Sequence, residues 1–579
     1  MTGNEAIARG AWEAGVRVAA GYPGTPSTEI LENLAKYPGV YAQWSPNEKV
    51  ALEVGIGASL TGARVLVTMK HVGVNVAADP LLTLSYTGVN GGLVLVSADD
   101  PGMHSSQNEQ DNRHYARLAK IPMLEPADSQ EARDFVILAF NVSEEYDTPV
   151  LLRTTTRVAH GQSLVATGER QERRSKKYEK NVAKYVMMPA FARQRRLAVE
   201  ERTLRLKKLA ERMEVNRMEL RDRSIGVITS GISYQYVREA LPHASVLKLG
   251  LTWPLPEKLL RQFAAEVDRL YVVEELDPYL EEQIRALGIA VTGKEIIPPV
   301  GELSVETVAR AFGVKVDCRE EVAATAPAVA VPPRPPVMCP GCPHRGVFYV
   351  LRKLKVTVTG DIGCYTLGAL PPLEAMDTCI CMGASIGSAL GMEKGDPELQ
   401  GRVVAVIGDS TFLHSGVTGL MDIVYNKGTA TVVILDNRTT AMTGHQDHPA
   451  SGRTLMGEPA YSVDLAALCR AVGVERVREV PAFDLEGLEK ALREELEARE
   501  PSVVIARQPC ALLAKEKKAG CRVEADQCVA CRRCLQLGCP ALSIEKDKAT
   551  IDEVLCNGCG LCLQVCRVGA IRRAGESDG

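Results

Sequence analysis

The chain has 579 residues, of which 46% are hydrophobic and 24% charged, and its net charge is −4. This length predicts roughly three to five domains, and the near-neutral charge gives no electrostatic reason to expect nucleic acid as a partner. No apolar run reaches the roughly 20 residues that a membrane-spanning helix needs, and the first residues lack the basic and apolar regions of a signal peptide. We therefore expect a cytoplasmic protein with no membrane partner. Its 17 cysteines indicate metal or redox chemistry rather than disulfides.

An α/β fold with parallel sheets is predicted from the first block of the chain, residues 1–167. Short buried strands alternate there with helical stretches, which is the pattern of βαβ units. The strands are expected within residues 15–24, 63–71, 91–100 and 148–156.

Two further α/β blocks follow. Residues 168–222 are highly charged and carry no strand signal, so we expect a solvent-exposed connector helix. The second block is residues 223–322, and residues 323–338, rich in alanine and proline, are predicted to be an extended linker. The third block is residues 339–512. Strands of the second block are expected within residues 224–231, 244–250 and 268–275.

The last segment, residues 513–579, is too short for a large core and needs a metal to stabilise it. Its clustered cysteines form two runs, C-x2-C-x2-C-x4-C-P and C-x2-C-x2-C-x3-C. They resemble the two-cluster ferredoxins, in which the fourth cysteine of each run ligates the other cluster. The resemblance implies two 4Fe–4S clusters, one on Cys528, Cys531, Cys534 and Cys566 and the other on Cys556, Cys559, Cys562 and Cys539.

Two features of these runs depart from the ferredoxin pattern. One extra residue precedes Cys539, and Arg567 stands where proline is usual. The extra residue before Cys539 is compatible with a cluster that contains fewer than four irons. A pair of zinc sites is the alternative to iron–sulfur, although zinc sites usually have two well-separated C-x2-C pairs.

A phosphate and metal site is predicted in the third block. The buried strand VVAVIG is followed by Asp409, and a second strand is followed by Asn437, 28 positions later. This resembles the thiamine diphosphate motif, usually GDG and NN and here GDS and DN. It implies Mg²⁺ bound by Asp409, Asn437 and the carbonyl of Thr439, a donor set that suits this ion. A strand-end aspartate without a cofactor is the alternative. Other residues expected to contact the cofactor are Gly363, Cys364, Tyr365, Gly383, Ala384, Ser385, Gly408, Ser410, Met442 and Thr443.

Thiamine chemistry also needs a carboxyl group on the pyrimidine ring of the cofactor, because the imino group that removes the C2 proton forms only when an acid binds the far ring nitrogen. An apolar environment raises the pKa of a glutamate enough to hold that proton. Glu48 is predicted to have this role, since it begins an Ala- and Gly-rich helical stretch before a buried strand. Glu53 is the competing candidate.

A third cluster is predicted on four cysteines that are distant in sequence: Cys339, Cys342, Cys364 and Cys510. The first two form a C-x2-C, the third lies in a Gly-rich turn, and Cys510 is expected to end the last strand of the block. A doubly wound sheet brings loops at one edge together. Pyruvate:ferredoxin oxidoreductases and their relatives carry a proximal 4Fe–4S cluster with this order of ligands. A redox C-x2-C with two buried thiols is the alternative. The other cysteines are interpreted as buried packing residues: Cys318, Cys379, Cys381, Cys469 and Cys521.

Long motifs over nearly the whole chain resemble the alpha subunits of indolepyruvate:ferredoxin oxidoreductases, in the 2-oxoacid:ferredoxin oxidoreductase family. They include GYPGTPSTEI, NEKVALEVGIGAS, TMKHVGVNVAADP, CPGCPHRG, GDIGCYTLG, GDSTFLHSG and DNRTTAMTGHQ. The resemblance implies two doubly wound parallel-sheet domains of the thiamine-diphosphate-binding type, a transketolase-C-terminal-like α/β domain and a small α+β two-cluster ferredoxin domain. The pyrimidine-binding domain is then residues 1–167 and the diphosphate-binding domain residues 339–512.

The same resemblance implies oxidative decarboxylation of aryl pyruvates to aryl-acetyl-CoA, with ferredoxin as electron acceptor. The implied partners are coenzyme A, ferredoxin and a separately encoded beta subunit, in an α2β2 assembly. A related enzyme that prefers pyruvate or branched-chain 2-oxo acids, and a non-oxidative thiamine diphosphate decarboxylase, are the alternatives. The twelve candidate cluster cysteines indicate an oxygen-sensitive protein from an anaerobe.

On the substrate side, Thr25 matches the family threonine that hydrogen-bonds the substrate carboxylate. Residues 99–117 are polar after a buried strand and are interpreted as a substrate loop, with surface solvation as the alternative. The candidate contacts of this loop are His104, Ser105 and Gln107. Other candidate active-site histidines are His71, His414 and His445, and for His71 a core histidine with satisfied hydrogen bonds is an equal alternative.

Overall fold

The computed structural model describes residues 1–171, 176–315, 335–513 and 518–575. The chain divides into two units, Met1–Ala330 and Val331–Gly579. Cys318 and most of the predicted linker, residues 323–338, lie outside the described residues. No helix in the described part of the chain combines the length and the apolar character needed to cross a membrane.

Among its described residues, the first unit contains two sheets. Their strands are β1 (Val18–Gly21), β2 (Tyr41–Trp44), β3 (Val65–Lys70), β4 (Leu93–Asp99), β5 (Met123–Leu124), β6 (Val150–Thr155), β7 (Arg217–Glu219), β8 (Asp222–Ser230), β9 (Ala244–Leu249), β10 (Leu251–Trp253) and β11 (Leu270–Val273). The larger sheet has the order β10-β5-β6-β4-β3-β1-β2 and is parallel except for β10. All residues of β3, β4 and β6 are buried, as expected for strands covered on both faces. The parallel sheet predicted from the first block is therefore confirmed.

The smaller sheet has the order β11-β8-β9-β7, and β7 is its antiparallel edge strand. β7 lies inside the charged segment 168–222, in which no strand was expected. The prediction of a segment without strands is therefore wrong near the C-terminal end of that segment. The expectation of a fully solvated connector is also wrong for one face of the helix Pro189–Ala210. Arg202 on this helix is 4% exposed and donates to the carbonyls of Ser85 (2.6 Å) and Asp147 (2.8 Å).

Helices connect the strands of these sheets. They are Gly3–Glu13, Thr28–Leu34, Glu48–Leu60, His71–Val76, Ala78–Thr87, Arg113–Ala119, Ser129–Tyr146, Thr156–His160, Val182–Tyr185, Pro189–Ala210, Ser233–Ala240, Glu257–Ala265, Tyr279–Ala286 and Val305–Ala311.

The second unit contains a six-stranded parallel sheet in the order β13-β12-β14-β15-β17-β16. Its strands are β12 (Thr357–Gly360), β13 (Thr378–Cys379), β14 (Val403–Gly408), β15 (Thr431–Asp436), β16 (Arg476–Pro481) and β17 (Ser502–Arg507). The chain moves outward in opposite directions from β12 and β14, so the topological switch point lies between these two strands. Ligands of doubly wound sheets bind at this point, outside the carboxyl ends of the strands.

The tail forms two small antiparallel pairs, β18 with β21 and β19 with β20. These strands are β18 (Cys521–Val523), β19 (Leu542–Glu545), β20 (Lys548–Ile551) and β21 (Ile571–Arg573). Buried Arg345 fastens the tail to the third block, because it donates to the carbonyls of Leu537 (2.7 Å) and Met338 (2.6 Å). The α-helices of this unit are His344–Leu354, Ala384–Gly395, Asp409–Thr411, Val417–Tyr425, Leu465–Ala471, Leu485–Ala498 and Leu561–Val565.

Candidate active site and electron-transfer sites

A buried aspartate follows each of the two strands at the switch point, Asp361 after β12 and Asp409 after β14. Asp361 accepts hydrogen bonds from the backbone N–H groups of Gly383 (2.9 Å) and Ser385 (3.0 Å). Gly383 has a φ of +88°, and a Cβ there would lie 2.5 Å from the Cβ of Ser415, so only glycine fits. Sequence reasoning missed Asp361, although its place after a strand in GDIGC was a usable signal.

The turn that Asp361 holds has an unpaired hydroxyl. Ser385 Oγ is buried and has no hydrogen-bond partner within the described residues. It lies in the first turn of the 12-residue helix Ala384–Gly395. The N–H groups of Gly383, Ala384 and Ser385 are already bonded to Asp361 and to the carbonyl of Cys381, so the hydroxyl is the group of this turn that fits a ligand. Because buried polar groups are almost always paired, this hydroxyl fits a diphosphate oxygen.

Asp409 and Asn437, the predicted metal ligands, are held in one place by backbone N–H groups. Asp409 accepts from Ser410 (2.8 Å) and from Arg438 (2.8 Å), and Asn437 Oδ1 accepts from Thr439 (3.1 Å). The bond from Arg438 joins the loop after β15 to the carboxylate after β14. A carboxylate and an amide oxygen fixed side by side are a donor set that fits Mg²⁺.

Tyr365 explains why residue 408 is a glycine. A Cβ on Gly408 would lie 2.8 Å from Cε1 of the Tyr365 ring, and the Tyr365 hydroxyl donates to the carbonyl of Ile362 (2.9 Å). The other expected cofactor contacts lie on the loops that follow β12, β14 and β15: Gly363, Ser410, Met442 and Thr443.

Two of the predicted histidines lie on these loops. His414 is buried in the π-helical turn Phe412–Gly416, with Nδ1 2.6 Å from the Ser415 hydroxyl; single π-turns are frequent at functional sites. His445 places Nε2 3.7 Å from the sulfur of Cys510, so it lies against one of the predicted cluster thiols.

Two histidines near the metal ligands were not predicted. His448 Nε2 lies 3.3 Å from Asp409 Oδ2, and His344 Nε2 lies 3.4 Å from Asn437 Nδ2. Burial lowers the pKa of His344 to about 4, so this ring is neutral at neutral pH. His344 lies in the CPGCPHRG motif, which was a usable signal, whereas nothing in the local sequence distinguished His448 from a surface residue.

The four thiols predicted for a proximal cluster converge. Burial raises the pKa of Cys342 to about 12, and the nearby thiols of Cys339 and Cys364 raise it as well. Burial also raises the pKa of Cys364, as do nearby Cys510 and Cys339. Such mutual effects require proximity. Cys510 also donates its backbone N–H to the carbonyl of Asn437 (3.1 Å), which places the set beside the metal-site loop.

Cys510 was expected to end the last strand of the block. This prediction is wrong, because β17 ends three residues earlier at Arg507. The other cysteine predictions had mixed outcomes. Cys469 is a buried packing residue, but Cys379 and Cys381 are exposed, so their interpretation as buried residues is wrong. Cys521 is buried yet lies among the cluster thiols, not in an ordinary core.

Two cavities in the tail have thiol linings. The space within them, open solvent included, is about 420 Å³ in one and about 380 Å³ in the other. The larger is lined by Cys539, Cys556, Cys559 and Cys562. The smaller is lined by Cys528, Cys531, Cys534 and Cys566. Each cavity combines three cysteines of one run with the fourth of the other, which is the exchange expected for paired 4Fe–4S clusters.

The larger tail cavity adjoins the loop of the proximal thiols. Asn557, between Cys556 and Cys559, donates its side-chain amide to the carbonyl of Pro340 (2.9 Å). Pro340 lies between Cys339 and Cys342, so the two C-x2-C loops are in direct contact within the second unit.

In the first unit, Glu48 is the first residue of the helix Glu48–Leu60, and it is 5% exposed. A Cβ on Gly73 would lie 2.6 Å from Glu48 Oε1, so the carboxyl group occupies the space that a larger residue at 73 would fill. Glu53, in contrast, is 44% exposed and pairs with Lys49 on the surface. These positions support Glu48 over Glu53 as the buried acid.

Lys70 links the turn of Thr25 to the predicted substrate loop. Its stem packs on this turn, since a Cβ on Gly24 would lie 3.0 Å from the Cβ of Lys70. Its ammonium donates to the carbonyl of Ser105 (2.6 Å), and burial lowers the pKa of Lys70 to about 8. Sequence reasoning missed Lys70, although a lysine that ends a strand as apolar as β3 is unusual.

The substrate loop is anchored at one part and exposed at another. His71 is fully buried with Nε2 3.3 Å from Asn108 Oδ1, and Nδ1 has no partner within the described residues. Burial lowers the pKa of His71. His104 is 52% exposed, 3.5 Å from the Glu302 carboxylate, and Gln107 is exposed.

Buried ion pairs fix both ends of this loop. Arg113 is 1% exposed and donates to Asp111 (2.5 Å) and to Glu274 (2.6 Å). Arg153 donates to Asp99 (2.8 Å). Removing one partner of a buried pair leaves an uncompensated charge, so these contacts hold Asp99 and Arg113 in place.

Replacing Lys70 with methionine is expected to raise the KM for a 2-oxo acid by about 10- to 100-fold, because a hydrogen bond to a charged group contributes about 1.5–3 kcal/mol. Steady-state kinetics of the assembled enzyme measure this change. Lys49→Met, on the exposed face of the neighbouring helix, is the matched control. An unchanged KM in Lys70→Met would show that Lys70 does not organise the loop.

Comparison with known proteins agrees with this geometry. Residues 9–223 match the family model "Pyruvate flavodoxin/ferredoxin oxidoreductase, thiamine diP-bdg", residues 361–506 match "Thiamine pyrophosphate enzyme, C-terminal TPP binding domain", and residues 549–572 match "4Fe-4S binding domain". Fold, diphosphate turn and thiol sets together define a thiamine-diphosphate-binding iron–sulfur oxidoreductase.

Relatives of similar length narrow this class. The indolepyruvate oxidoreductase subunit IorA of Archaeoglobus fulgidus is 43% identical over 99% of this chain and 97% of its own. The subunits of the same name from Methanothermobacter marburgensis and Pyrococcus horikoshii are 43% and 41% identical, each over 100% of this chain and 97% of theirs. The chain belongs to the family of indolepyruvate oxidoreductase subunits IorA.

Proposed function

We propose that this chain, together with a beta subunit, oxidatively decarboxylates aryl pyruvates such as indolepyruvate to aryl-acetyl-CoA and CO₂, and reduces ferredoxin. The observation that carries the proposal is the continuity of sites in the second unit. The backbone N–H of Cys510 donates a hydrogen bond to the carbonyl of Asn437 at the metal site. The side-chain amide of Asn557 donates one to the loop that carries Cys339 and Cys342. The names of the full-length relatives support the substrate class.

Thiamine diphosphate, when bound, supplies the nucleophilic carbon and the electron sink for decarboxylation, and 4Fe–4S clusters supply single-electron transfer. Asp409, Asn437 and the carbonyl of Thr439 would hold Mg²⁺, which neutralises the diphosphate. The Ser385 hydroxyl would bind a diphosphate oxygen. Glu48, which is buried, would hold a proton at the pyrimidine ring nitrogen.

The 2-oxo acid would be bound by two groups at the carboxyl ends of β1 and β3. The Thr25 hydroxyl would donate to the substrate carboxylate, and Lys70 would place a positive charge beside that turn. The loop fastened by Arg113 and Arg153 would cover the substrate and exclude water. A hydroxyl and an ammonium group held in fixed positions orient a substrate carboxylate well, because these donors need no reorganisation during the reaction.

The thiol sets would hold the clusters in a fixed order from the metal site outward. The proximal set of Cys339, Cys342, Cys364 and Cys510 is beside the metal-site loop. The larger tail cavity is in contact with the proximal loop through Asn557. The smaller cavity has an exposed cysteine, Cys531, so it is the natural exit to ferredoxin. We propose three 4Fe–4S clusters on these sets and an α2β2 assembly.

Turnover of the anaerobic complex with its beta subunit tests this function. We expect CoA-dependent reduction of ferredoxin with indolepyruvate and phenylpyruvate at rates well above that with pyruvate. Faster turnover of pyruvate would favour the small-acid alternative. Release of an aldehyde without any electron acceptor would favour a non-oxidative decarboxylase.

Replacing Asp409 with asparagine is expected to weaken the binding of thiamine diphosphate with Mg²⁺ by about 10- to 100-fold, because the metal loses a charged ligand. Titration calorimetry on protein freed of cofactor measures the affinity. Asp422→Asn, on the exposed side of the helix Val417–Tyr425, is the matched control. Equal affinities of Asp409→Asn and the unsubstituted protein would rule out Asp409 as a ligand.

A further inference from the structure

A fifth thiol lies at the larger tail cavity. Cys521 is in strand β18 and is 2% exposed. It lines the cavity together with the four cysteines of the proposed cluster: Cys539, Cys556, Cys559 and Cys562. The ferredoxin-like runs do not include Cys521, so the pattern that predicts ligands gives it no role.

Cys521 presents two donor groups to this cavity. Its backbone N–H donates to the sulfur of Cys556 at 3.3 Å. Its thiol lines the cavity beside the four cysteine side chains. The antiparallel pairing of β18 with β21 fixes the backbone of Cys521, so the N–H has a set direction.

We propose that Cys521 is not a ligand but a hydrogen-bond donor to the ligand sulfurs, and that it raises the reduction potential of the cluster in this cavity. The inference rests on the proposed function, because it assumes a cluster on Cys539, Cys556, Cys559 and Cys562. A cubane offers one iron to each of four ligands, and the four cysteines of the ferredoxin-like runs already fill these positions.

The direction of the effect follows from charge. Reduction adds a negative charge to the cluster and its thiolates, and hydrogen-bond donors stabilise that charge. A donor therefore favours the reduced form. Since this cavity adjoins the C-x2-C loop of Cys339 and Cys342, Cys521 would increase the driving force for electrons that leave the proximal cluster.

EPR-monitored redox titration of the anaerobic holoenzyme, with iron and sulfide analysis, tests the proposal. In Cys521→Ala we expect an unchanged iron content and a lower reduction potential for one cluster. The decrease should correspond to a change of about threefold to tenfold in the equilibrium constant of one-electron reduction, where tenfold equals about 59 mV. In Cys521→Ser the hydroxyl can still donate, so the potential should lie nearer that of the unsubstituted protein.

Two results would overturn the proposal. Loss of about four irons in Cys521→Ala would make Cys521 a ligand, and unchanged potentials with full iron would make it a packing residue. Cys469→Ala, which removes a buried thiol from the helix Leu465–Ala471, controls for the loss of a core thiol. The titration uses dithionite and no substrate. A wrong substrate assignment would therefore appear only in turnover, and the potentials would be unaffected.

Discussion

Replacing Glu48 with glutamine is expected to lower turnover by about 10²- to 10⁴-fold, the range typical of a lost acid–base group. Glutamine keeps the size of the side chain but cannot hold and release the proton at the pyrimidine nitrogen. The binding of thiamine diphosphate should change much less, because the diphosphate is bound by other residues. Ferredoxin-reduction rates together with cofactor affinities separate the two effects.

Glu53→Gln is the matched control, because Glu53 lies on the same helix but pairs with Lys49 at the surface. Gly73→Ala extends the test without touching the carboxyl group. Its new Cβ would lie 2.6 Å from Glu48 Oε1, so the side chain must move and part of the loss should reappear. If Glu53→Gln were the damaging change and Glu48→Gln were harmless, the assignment of the acid would be reversed.

Much of this molecule could be predicted because its chemistry depends on residues with few alternative uses. Eight cysteines at ferredoxin spacing have no role in an ordinary core, so the spacing of the two tail runs predicted which cysteines share a cluster. Asp409 and Asn437 follow strongly apolar strands, which placed both at the edge of a sheet. Continuous apolar runs also indicated β3 and β4 without any help from tertiary contacts.

The residues that were missed depend on tertiary contacts that the sequence does not encode locally. Lys70 is informative only because Ser105 and the turn of Gly24 surround it. His448 matters through Asp409, and the intervening 38 residues give no hint that the two meet. Cys521 precedes the first ferredoxin run, and only the pairing of β18 with β21 brings it to the ligands of the second. β7 was missed because Arg-Met-Glu has no apolar alternation, and an edge strand needs none.

Exposure of Cys379 and Cys381 shows the limit of treating cysteine as a core residue. Cysteine is among the most buried residue types, but Cys379 ends the short edge strand β13 and Cys381 follows it. Their exposure gives the chain a useful internal control, since a serine at either position removes a thiol from the same domain without opening a core.

Replacing Cys364 with serine is expected to remove about four irons of about twelve and to abolish ferredoxin reduction, while the tail clusters remain. Cys364 lies near Cys339 and Cys510 of the proximal set, so its loss leaves three thiols for a cluster that needs four. Iron and sulfide analysis with EPR measures the loss. Cys381→Ser should keep all of the iron.

This substitution also separates the electron path from the chemistry at the metal site. Asp409 and Asn437 are held by backbone groups of Ser410, Arg438 and Thr439, none of which involves Cys364. Thiamine diphosphate should therefore still bind to Cys364→Ser, with an affinity close to that of the unsubstituted protein. Full iron content with active ferredoxin reduction in Cys364→Ser would mean that the converging thiols are a redox pair and two buried cysteines, and electrons would then need another route from the metal-site loop to the tail.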